Sequence, residues 1–594
     1  MPKNEKLETK RHSLAHVMAA SVLEIFPEAK FGVGPVIEDG FFYDVHLNRP
    51  LTPEDLQAVE KRMREKVKQN LRFERSEVPL ESAVDAFGNM KQDFKVELLR
   101  DLKTRGTTAV ADAGDANLVG ANVNEVSVYK TGNFTDLCRG PHVDQTSEID
   151  PDSFRLTRVS GAYWRGNQQR EQMQRIYGVA FDTKKELEEY FVRLEEAKKR
   201  DHRKLGRELG LFMFHQWAPG AAFWLPKGTT LYNTLANYMR GVLFPAGYVE
   251  VKTPLIFNKA LWETSGHWSH YRQNMFLLEA GEGEEMAMKA MNCPGHMLVF
   301  GSDLRSYREL PLRLHEQTPL HRNEASGVLS GLTRVRQFSQ DDAHCFVTQE
   351  QIGEEVERLL GLIQRVYGDL GMSYEAKLST RPAEFLGEIA TWDSAETQLK
   401  AALDKAGQQY TLNEGDGAFY GPKIDFDVTD AIGRKWQCAT IQLDYQLPAR
   451  FGLKYIGVDN AEHMPVVIHR AIFGSFERFI AILIEHYAGS FPVWLAPVQV
   501  MMIPIADRHV EYCQQVKDRL NAIGIRAEID ASVERMNGKI RNATMQKIPY
   551  MLVAGDREQQ QGAVAVRLRS GEDLKTKPLD EFIALAQTAI ASKK

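Results

Sequence analysis

The sequence is poor in cysteine. Five occur in 594 residues, Cys138, Cys293, Cys345, Cys438 and Cys513, an odd count with no CxxC spacing. That excludes the disulfide framework of a secreted scaffold and fits a reducing, cytoplasmic setting. An apolar leader is also missing: Met1 to His12 is charged and no small-residue cleavage site follows a hydrophobic segment, so export is not expected. The longest nearly apolar run, Phe491 to Ala506, is interrupted by Pro492, Pro497, Gln499 and Pro504, too short and too broken to span a bilayer. No membrane partner is expected. Nor is there an excess of positive charge. Lys+Arg number 74 against 80 Asp+Glu, a net charge of −6, so any polyanion must be met by local patches. Repeats and low-complexity tracts are absent as well. What is present is 43% apolar and 26% charged residues, an ordinary globular composition. At roughly 150 residues per domain this length makes three or four domains.

Changes of pattern divide the chain. Thr52, Pro53 and Asp55, followed by Leu56, Val59, Met63 and Val67 at helical spacing, predict a capped amphipathic helix. To about Phe181 short β runs such as Val123 to Tyr129 mix with Gly-rich turns, an α+β module. Thr183 to Gly210 is heavily charged with Leu187, Phe191 and Leu194 on one stripe, which predicts a linker helix. Then come a helix over Leu231 to Phe244, a strand over Tyr248 to Ile256 ending at Pro254, and two strands across Arg313 to His344 around a loop at Ala325 to Leu332. After Pro497, strands at 498–503, 525–529 and 550–553 alternate with helices at 510–523, stopped at Gly524, and 533–545. That pattern predicts a doubly wound α/β domain. The expected domains are 1–182, a linker 183–210, 211–496 and 497–594.

The most informative stretch is the second strand of the 313–344 hairpin. Period-two alternation puts Arg334, Arg336, Phe338, Gln340, Asp342 and His344 on one face, which Arg322 and Glu324 can join. A solvated polar face is one reading. The other is a site for a nucleotide and a zwitterion, with guanidinium groups on phosphates, Phe338 stacked on a base and Asp342 on an ammonium. Farther on, His469 to Ile480 enters a helix with a lone Arg478 among apolar residues. A structural ion pair with Glu477 would account for it equally well.

Gly474-Ser475-Phe476-Glu477-Arg478 resembles motif 3 of the class II aminoacyl-tRNA synthetases. Gly247 to Pro254 resembles motif 1, and Arg322-Asn323-Glu324 the opening of motif 2. Met291-Asn292-Cys293-Pro294-Gly295-His296, Gln340 to His344 and Val467 to Arg470 closely resemble the bacterial-type threonyl-tRNA synthetases, and the resemblance runs over nearly the whole chain. It implies an α+β multidomain fold: an α+β editing domain, a catalytic domain with an antiparallel sheet flanked by helices, and a C-terminal α/β anticodon-binding domain. It implies ATP, L-threonine and tRNA(Thr) as partners, and a homodimer built on motif 1. Cys293, His344 and His469 match that family's zinc ligands, although their spacing alone predicts no metal site. Three N/S ligands leave zinc an open position, which threonine can fill with amine and hydroxyl while valine cannot. Met291, Gln340, Asp342, Tyr420, Gln442 and Ser475 are expected around threonine. Arg322, Glu324, Arg334, Phe338, Gln437, Thr440 and Arg478 are expected around ATP, with Mg²⁺ and the two arginines Arg322 and Arg478 stabilising the phosphoryl transition state. His267 is expected to assist transfer to tRNA, a surface histidine being the alternative.

Serine differs from threonine by one methyl group, worth about 1–3 kcal/mol of discrimination, so accuracy calls for a second, hydrolytic site. His12-Ser13-Leu14-Ala15-His16 sets two imidazoles one helical turn apart, and Cys138-Arg139-Gly140-Pro141-His142 adds a thiol and a third imidazole. Read on their own they form a zinc site. The resemblance implies instead a metal-free pocket that deacylates seryl-tRNA, with Tyr43 and Asp136 in it. A lysine that the family places there is not assignable in the stretch Thr104 to Asn124. The ubiquitin-like domain with which many relatives begin is not expected here, because HxxxH comes so early. In the last domain Arg535, Lys539, Arg541, Lys547, Arg557, Arg567 and Arg569 are expected to form a basic patch, with Glu558 and Arg567 at the anticodon. Two rivals are weighed. A catalytically silent paralogue would be expected to lose Arg322 and Arg478, which are kept; a proline or serine enzyme leaves the Cys/His/His set unexplained.

Overall fold

In the computed structural model, which describes residues 3–105, 124–167, 169–279 and 281–593, the chain forms two units, Met1–Glu195 and Glu196–Lys594. In the first, the helix Lys3–Ile25 is apolar on most sides over its middle: Leu14, Ala15, Val17, Met18, Ala19 and Val22 are all buried. It packs with the helix Pro53–Lys68 into one core with strand residues Phe41, Tyr43, Val45, Phe154 and Ile176. Thr52 caps that second helix through a capping box with Asp55, as expected. The main sheet runs in the order Lys30–Phe31, Gly40–His46, Gln172–Ala180, Phe154–Tyr163. A second sheet of Phe73–Pro79, Glu125–Thr131 and Phe134–Leu137 carries the segment that ends in Cys138.

The single charged helix expected over 183–210 is two, Lys184–Arg200 and His202–Glu208. Asp201 interrupts it by accepting from the Arg203 amide at 2.8 Å and capping the second piece. The boundary between the units falls in this stretch.

The second unit is organised on an eight-stranded sheet, in the order Tyr248–Glu250, Leu312–Glu316, Asp342–Val347, Val466–Ala471, Lys435–Asp444, Lys423–Thr429, Ser373–Ser379, Tyr410–Asn413. Its inner pairings are antiparallel, and only the two outermost are parallel. One face is apolar: Ala343, Cys345, Ile468, Ile441 and Phe426 share a core with the helices Pro226–Leu243, Ile352–Asp369, Ile389–Lys405 and Phe476–His486. Because side chains alternate along a strand, burying Ala343 and Cys345 there turns Asp342 and His344 to the other face.

Two expected strands are shorter than the pattern suggests. Over 248–256 the chain makes Tyr248–Glu250 and Ile256–Asn258, in different sheets. Pro254 has no amide to give, and Thr253 directs its own to Glu316 at 2.7 Å. The 313–344 hairpin is split into the pairs Leu312–Glu316 with Asp342–Val347 and Pro319–His321 with Gln337–Ser339. The break on the second limb is at Asp341, whose buried carboxylate accepts from the amides of Ile472 and Phe473 and from Arg470. Removing one partner of such a buried pair costs about 3–5 kcal/mol, so the interruption is held in place. Arg334 and Arg336 therefore lie outside the strand, and the uninterrupted face expected from 334 to 344 does not exist.

The last domain, in the same unit, has the order Ala527–Ile529, Val500–Pro504, Tyr550–Ala554, Ala563–Leu568, Asp573–Pro578. The first three strands are parallel, as the βαβ pattern predicts. The last two form an antiparallel hairpin, so the sheet is mixed rather than wholly parallel.

Candidate functional site

Register builds the central cluster. His344 and His469 are directly opposite on neighbouring strands, with ring centroids 4.5 Å apart, and Gln442 is opposite His469 on the next strand. Cys293 opens the helix Cys293–Phe300. One donor atom from each of Cys293, His344 and His469 lies within 4.8 Å of the others, and all three residues are buried. The remaining ring nitrogens are held: His344 Nδ1 lies 2.8 Å from His296 Nδ1, and His469 Nε2 lies 2.8 Å from Asp444 Oδ2. Burial holds the Cys293 thiol well above and the His344 imidazole well below their usual ranges. The cluster thus brings together a sulfur and two imidazole nitrogens, a donor set that fits zinc.

Residues expected around threonine gather at this cluster to different degrees. Asn292 donates to Asp342 at 3.0 Å, and Asp342 lies two residues from His344 on the same strand face. Tyr420 packs its ring 5.4 Å from that of His469. Gln442 donates to the Gly421 carbonyl at 3.1 Å. Met291 precedes Cys293 by two residues. Ser475 serves as a helix cap, its hydroxyl accepting from the Arg478 amide at 3.1 Å. Gln340 lies just before the Asp341 break. His267 is buried, not a surface residue: its Nδ1 meets Ser265 Oγ at 2.8 Å, its Nε2 lies 4.0 Å from Cys293 Sγ, and burial followed by nearby His469 brings its pKa down to about 4.

The residues expected around ATP lie on several elements of the same unit. The Arg322 guanidinium lies 4.9 Å from the Phe338 ring. Arg334 pairs with Glu324 at 2.9 Å, and Arg336 donates to the Glu324 carbonyl at 2.8 Å. Glu477 accepts from the Ser339 amide at 3.0 Å, and burial raises its pKa to about 8, so it is not the ion-pair partner that would have explained Arg478 away. Arg478 Nε is buried without a hydrogen-bond partner, an orphan that an anion would satisfy. Gln437 and Thr440, three residues apart, ought to point to opposite faces. A bulge at Cys438 re-phases the strand, so that they pair with Asp427 and Asp425, two residues apart, and share one face.

In the first unit, one donor atom from each of His12, His16, Cys138 and His142 lies within 4.8 Å of the others. Cys138 Sγ is 3.3 Å from His12 Nε2 and 3.3 Å from His142 Nε2. His12 Nδ1 faces the Pro141 carbonyl at 3.2 Å, which only accepts, so that nitrogen carries the proton. Ser13 Oγ donates to the Thr9 carbonyl at 2.8 Å and therefore accepts from His142 Nδ1 at 3.2 Å. Both rings turn an Nε2 lone pair to the thiol. Alongside, Asp136 accepts from Tyr43 and pairs with Lys95 at 2.6 Å, and Lys95 Nζ is 3.0 Å from Tyr43 Oη. Lys95 is the residue that sequence reasoning missed. The stretch searched for it, Thr104 to Asn124, falls almost wholly outside the described residues. A signal existed, since Lys95 shares a buried helical stripe with Leu98, Leu99 and Leu102.

The basic patch expected in the last domain is only partly there. Lys539 is buried with its ammonium 3.4 Å from the Pro504 carbonyl, and Arg569 is turned onto the Phe491 carbonyl at 2.6 Å. Both serve the domain's interior. Arg567 lies 3.9 Å from Asp573, and Glu558 accepts from Thr576 at 3.1 Å.

Residues 276–487 match the tRNA synthetase class II core domain (G, H, P, S and T), residues 499–588 the anticodon binding domain, and residues 126–177 the threonyl and alanyl tRNA synthetase second additional domain. A threonine–tRNA ligase of Myxococcus xanthus is 51% identical over 583 residues, 98% of this chain and 88% of the relative. One of Symbiobacterium thermophilum is 52% identical over 589 residues, 99% of this chain and 87% of the relative. Among solved structures, the RNA binding domain of threonyl-tRNA synthetase from Cryptosporidium parvum matches with a TM-score of 0.64 at 45% identity, covering 66% of this chain and 98% of that one.

Burial raises the Cys138 thiol to about 11 and lowers His12 and His142, so near neutral pH the set is a thiol between neutral imidazoles. Alkylation of Cys138 by iodoacetamide, followed by mass spectrometry on chelator-treated protein, should therefore rise steadily with pH beyond 9. A plateau below pH 8 would show instead a thiolate stabilised by imidazolium.

Proposed function

From the premise that the chain belongs to the threonine–tRNA ligase family of class II aminoacyl-tRNA synthetases, we propose the roles of its residues in charging tRNA(Thr) with threonine and in removing serine. The enzyme joins threonine to tRNA at the expense of ATP, and its second additional domain is the one associated with editing. The observation that carries the residue assignment is the pairing of His344 with His469 across adjacent strands, with Cys293 beside them.

In this reading Cys293, His344 and His469 would hold zinc, which would supply a preference for a substrate bearing both an amine and a hydroxyl. Asp342, fixed by Asn292, takes the substrate ammonium. Met291, Gln340, Tyr420, Gln442 and Ser475 complete the pocket. Phe338 stacks on the adenine, and Glu324, Arg334, Gln437 and Thr440 fix the rest of the nucleotide. The threonine carboxylate attacks the α-phosphate and pyrophosphate leaves. Arg322 and Arg478, with the Mg²⁺ that accompanies ATP, stabilise the charge that builds on the phosphoryl oxygens. His267, neutral at working pH because it is buried, is placed to assist the proton transfer when a tRNA ribose hydroxyl takes the threonyl group. The domains are assigned as 1–182 editing, 183–210 linker, 211–496 catalytic and 497–594 anticodon-binding, with Glu558 and Arg567 at the anticodon.

ATP–pyrophosphate exchange across the amino acids tests the reading. Threonine should support exchange and valine should not, with about one zinc per chain, and Cys293→Ser should lose both metal and exchange. Full exchange by dialysed, zinc-free protein would refute it.

The amino-terminal pocket is assigned to seryl-tRNA. Cys138 and His16 help to position a water that a neutral imidazole, His12 or His142, deprotonates, while Lys95, paired with Asp136, and Tyr43 orient the ester. His12→Ala with His16→Ala should leave threonine charging nearly intact and abolish deacylation of preformed seryl-tRNA. Equal deacylation rates would remove these histidines from editing. Loss of a second zinc together with activity would favour the metal-site reading of the same four residues.

Homodimerisation and a cytoplasmic location complete the proposal. Phe244, Val249, Leu255 and Ile256, in and around motif 1, expose apolar surface that an isologous partner would cover. No helix among the described residues is long and apolar enough to cross a membrane, and the five cysteines are free. Sedimentation should give a dimer at micromolar concentration; a fully active monomer would contradict it.

A further inference from the structure

Beneath the Cys293, His344 and His469 cluster runs a buried polar chain that the roles above do not use. His344 Nδ1 lies 2.8 Å from His296 Nδ1, and His296 Nε2 lies 3.1 Å from Glu316 Oε2. Glu316 also receives Lys289 Nζ at 3.0 Å, Thr318 Oγ1 at 2.6 Å, and both the amide and the hydroxyl of Thr253, at 2.7 and 2.9 Å. His296, Glu316 and Lys289 have no exposed surface.

The direction of these bonds can be read from their ends. Burial works against the Glu316 carboxylate, but the bonds it receives prevail and hold its pKa down to about 2, so it can only accept. His296 must then donate from Nε2, and in the neutral ring this leaves Nδ1 with a lone pair. Two Nδ1 atoms 2.8 Å apart need one proton between them, and that proton belongs to His344. His344 is thereby fixed with Nδ1 protonated and Nε2 free. In the opposite tautomer Nε2 would carry hydrogen and could not bind a metal. Asp444 does the equivalent for His469 by direct contact. Among the described residues no carboxylate hydrogen-bonds to His344, which is reached through a second imidazole.

We propose that Glu316 and His296 are positioning residues that select the metal-competent tautomer of His344 and so set the zinc affinity of the enzyme. The inference rests on the reading of Cys293, His344 and His469 as zinc ligands. A hydrogen-bond partner of a ligating histidine typically contributes 10–100-fold in metal affinity. The same carboxylate also anchors Thr253, so the end of motif 1 and a metal ligand depend on one buried anion.

The test is zinc affinity, measured on the full-length chain by competition with a chromophoric chelator, with folding checked by circular dichroism. His296→Phe removes the acceptor and should weaken zinc about 10–100-fold. His296→Asn places a carbonyl oxygen near the position of Nδ1 and should remain within a few-fold of the parent protein. If the Phe variant does not fold, His296→Leu takes its place. Parent-like affinity in the acceptor-free variant, or an Asn variant as weak as Phe, would overturn the proposal. A parent protein without zinc, or zinc retained by Cys293→Ser, would instead defeat the reading on which it rests.

Discussion

The antiparallel pairing of Asp342–Val347 with Val466–Ala471 is the constraint on which the rest of the second unit depends. It brings two histidines that are 125 positions apart in the chain into direct opposition, and it does so only in one register. A slip of the first strand by one residue would turn His344 into the helix-covered core and bring Ala343 and Cys345 out. The core forbids this, because Ala343, Cys345 and Ile468 are fully buried against the helices on that side. Hydrophobic burial on one face therefore fixes polar geometry on the other. The Asp341–Arg470 pair reinforces the register where the hairpin breaks, tying the strand before Asp342 to the backbone of Ile472 and Phe473.

The two clusters of histidine and cysteine solve a similar problem differently. In both, hydrogen bonds to the far ring nitrogens decide which nitrogen faces inward. Around His344 and His469 those bonds end on the carboxylates of Glu316 and Asp444. Around His12 and His142 they end on a carbonyl and a serine hydroxyl, weaker anchors, and a buried lysine–aspartate pair sits beside the thiol. A site framed by carboxylates favours a cation, whereas one that carries its own ammonium has less need of one. The chemistry assigned to each pocket follows that difference.

Much of this was legible in the sequence, through short motifs more than through periodicity. The capping box at Thr52, the HxxxH and CxxxH pairs and the βαβ pattern after Pro497 have local causes, and each is realised in the fold. The convergence of Cys293, His344 and His469 has none, since it arises from sheet register between distant strands; only resemblance to a known family suggested it. Period-two reasoning failed where a buried charge interrupts the strand, at Asp341. Lys95 escaped because its partner Asp136 lies 41 positions away on another element. Lys539 and Arg569 were misjudged as surface charge because nothing local marks a basic side chain that turns inward to a carbonyl.

The central claim is that one thiol and two imidazoles, brought together by sheet register, hold a zinc ion that inspects the substrate. X-ray absorption at the zinc edge on the purified chain measures this directly. One sulfur and two imidazole nitrogens are expected from the protein, with two further light-atom ligands, the amine and the hydroxyl, gained when threonine is added and no such two-atom gain with valine. Absence of zinc, or a shell with more than one sulfur and no response to threonine, would contradict it.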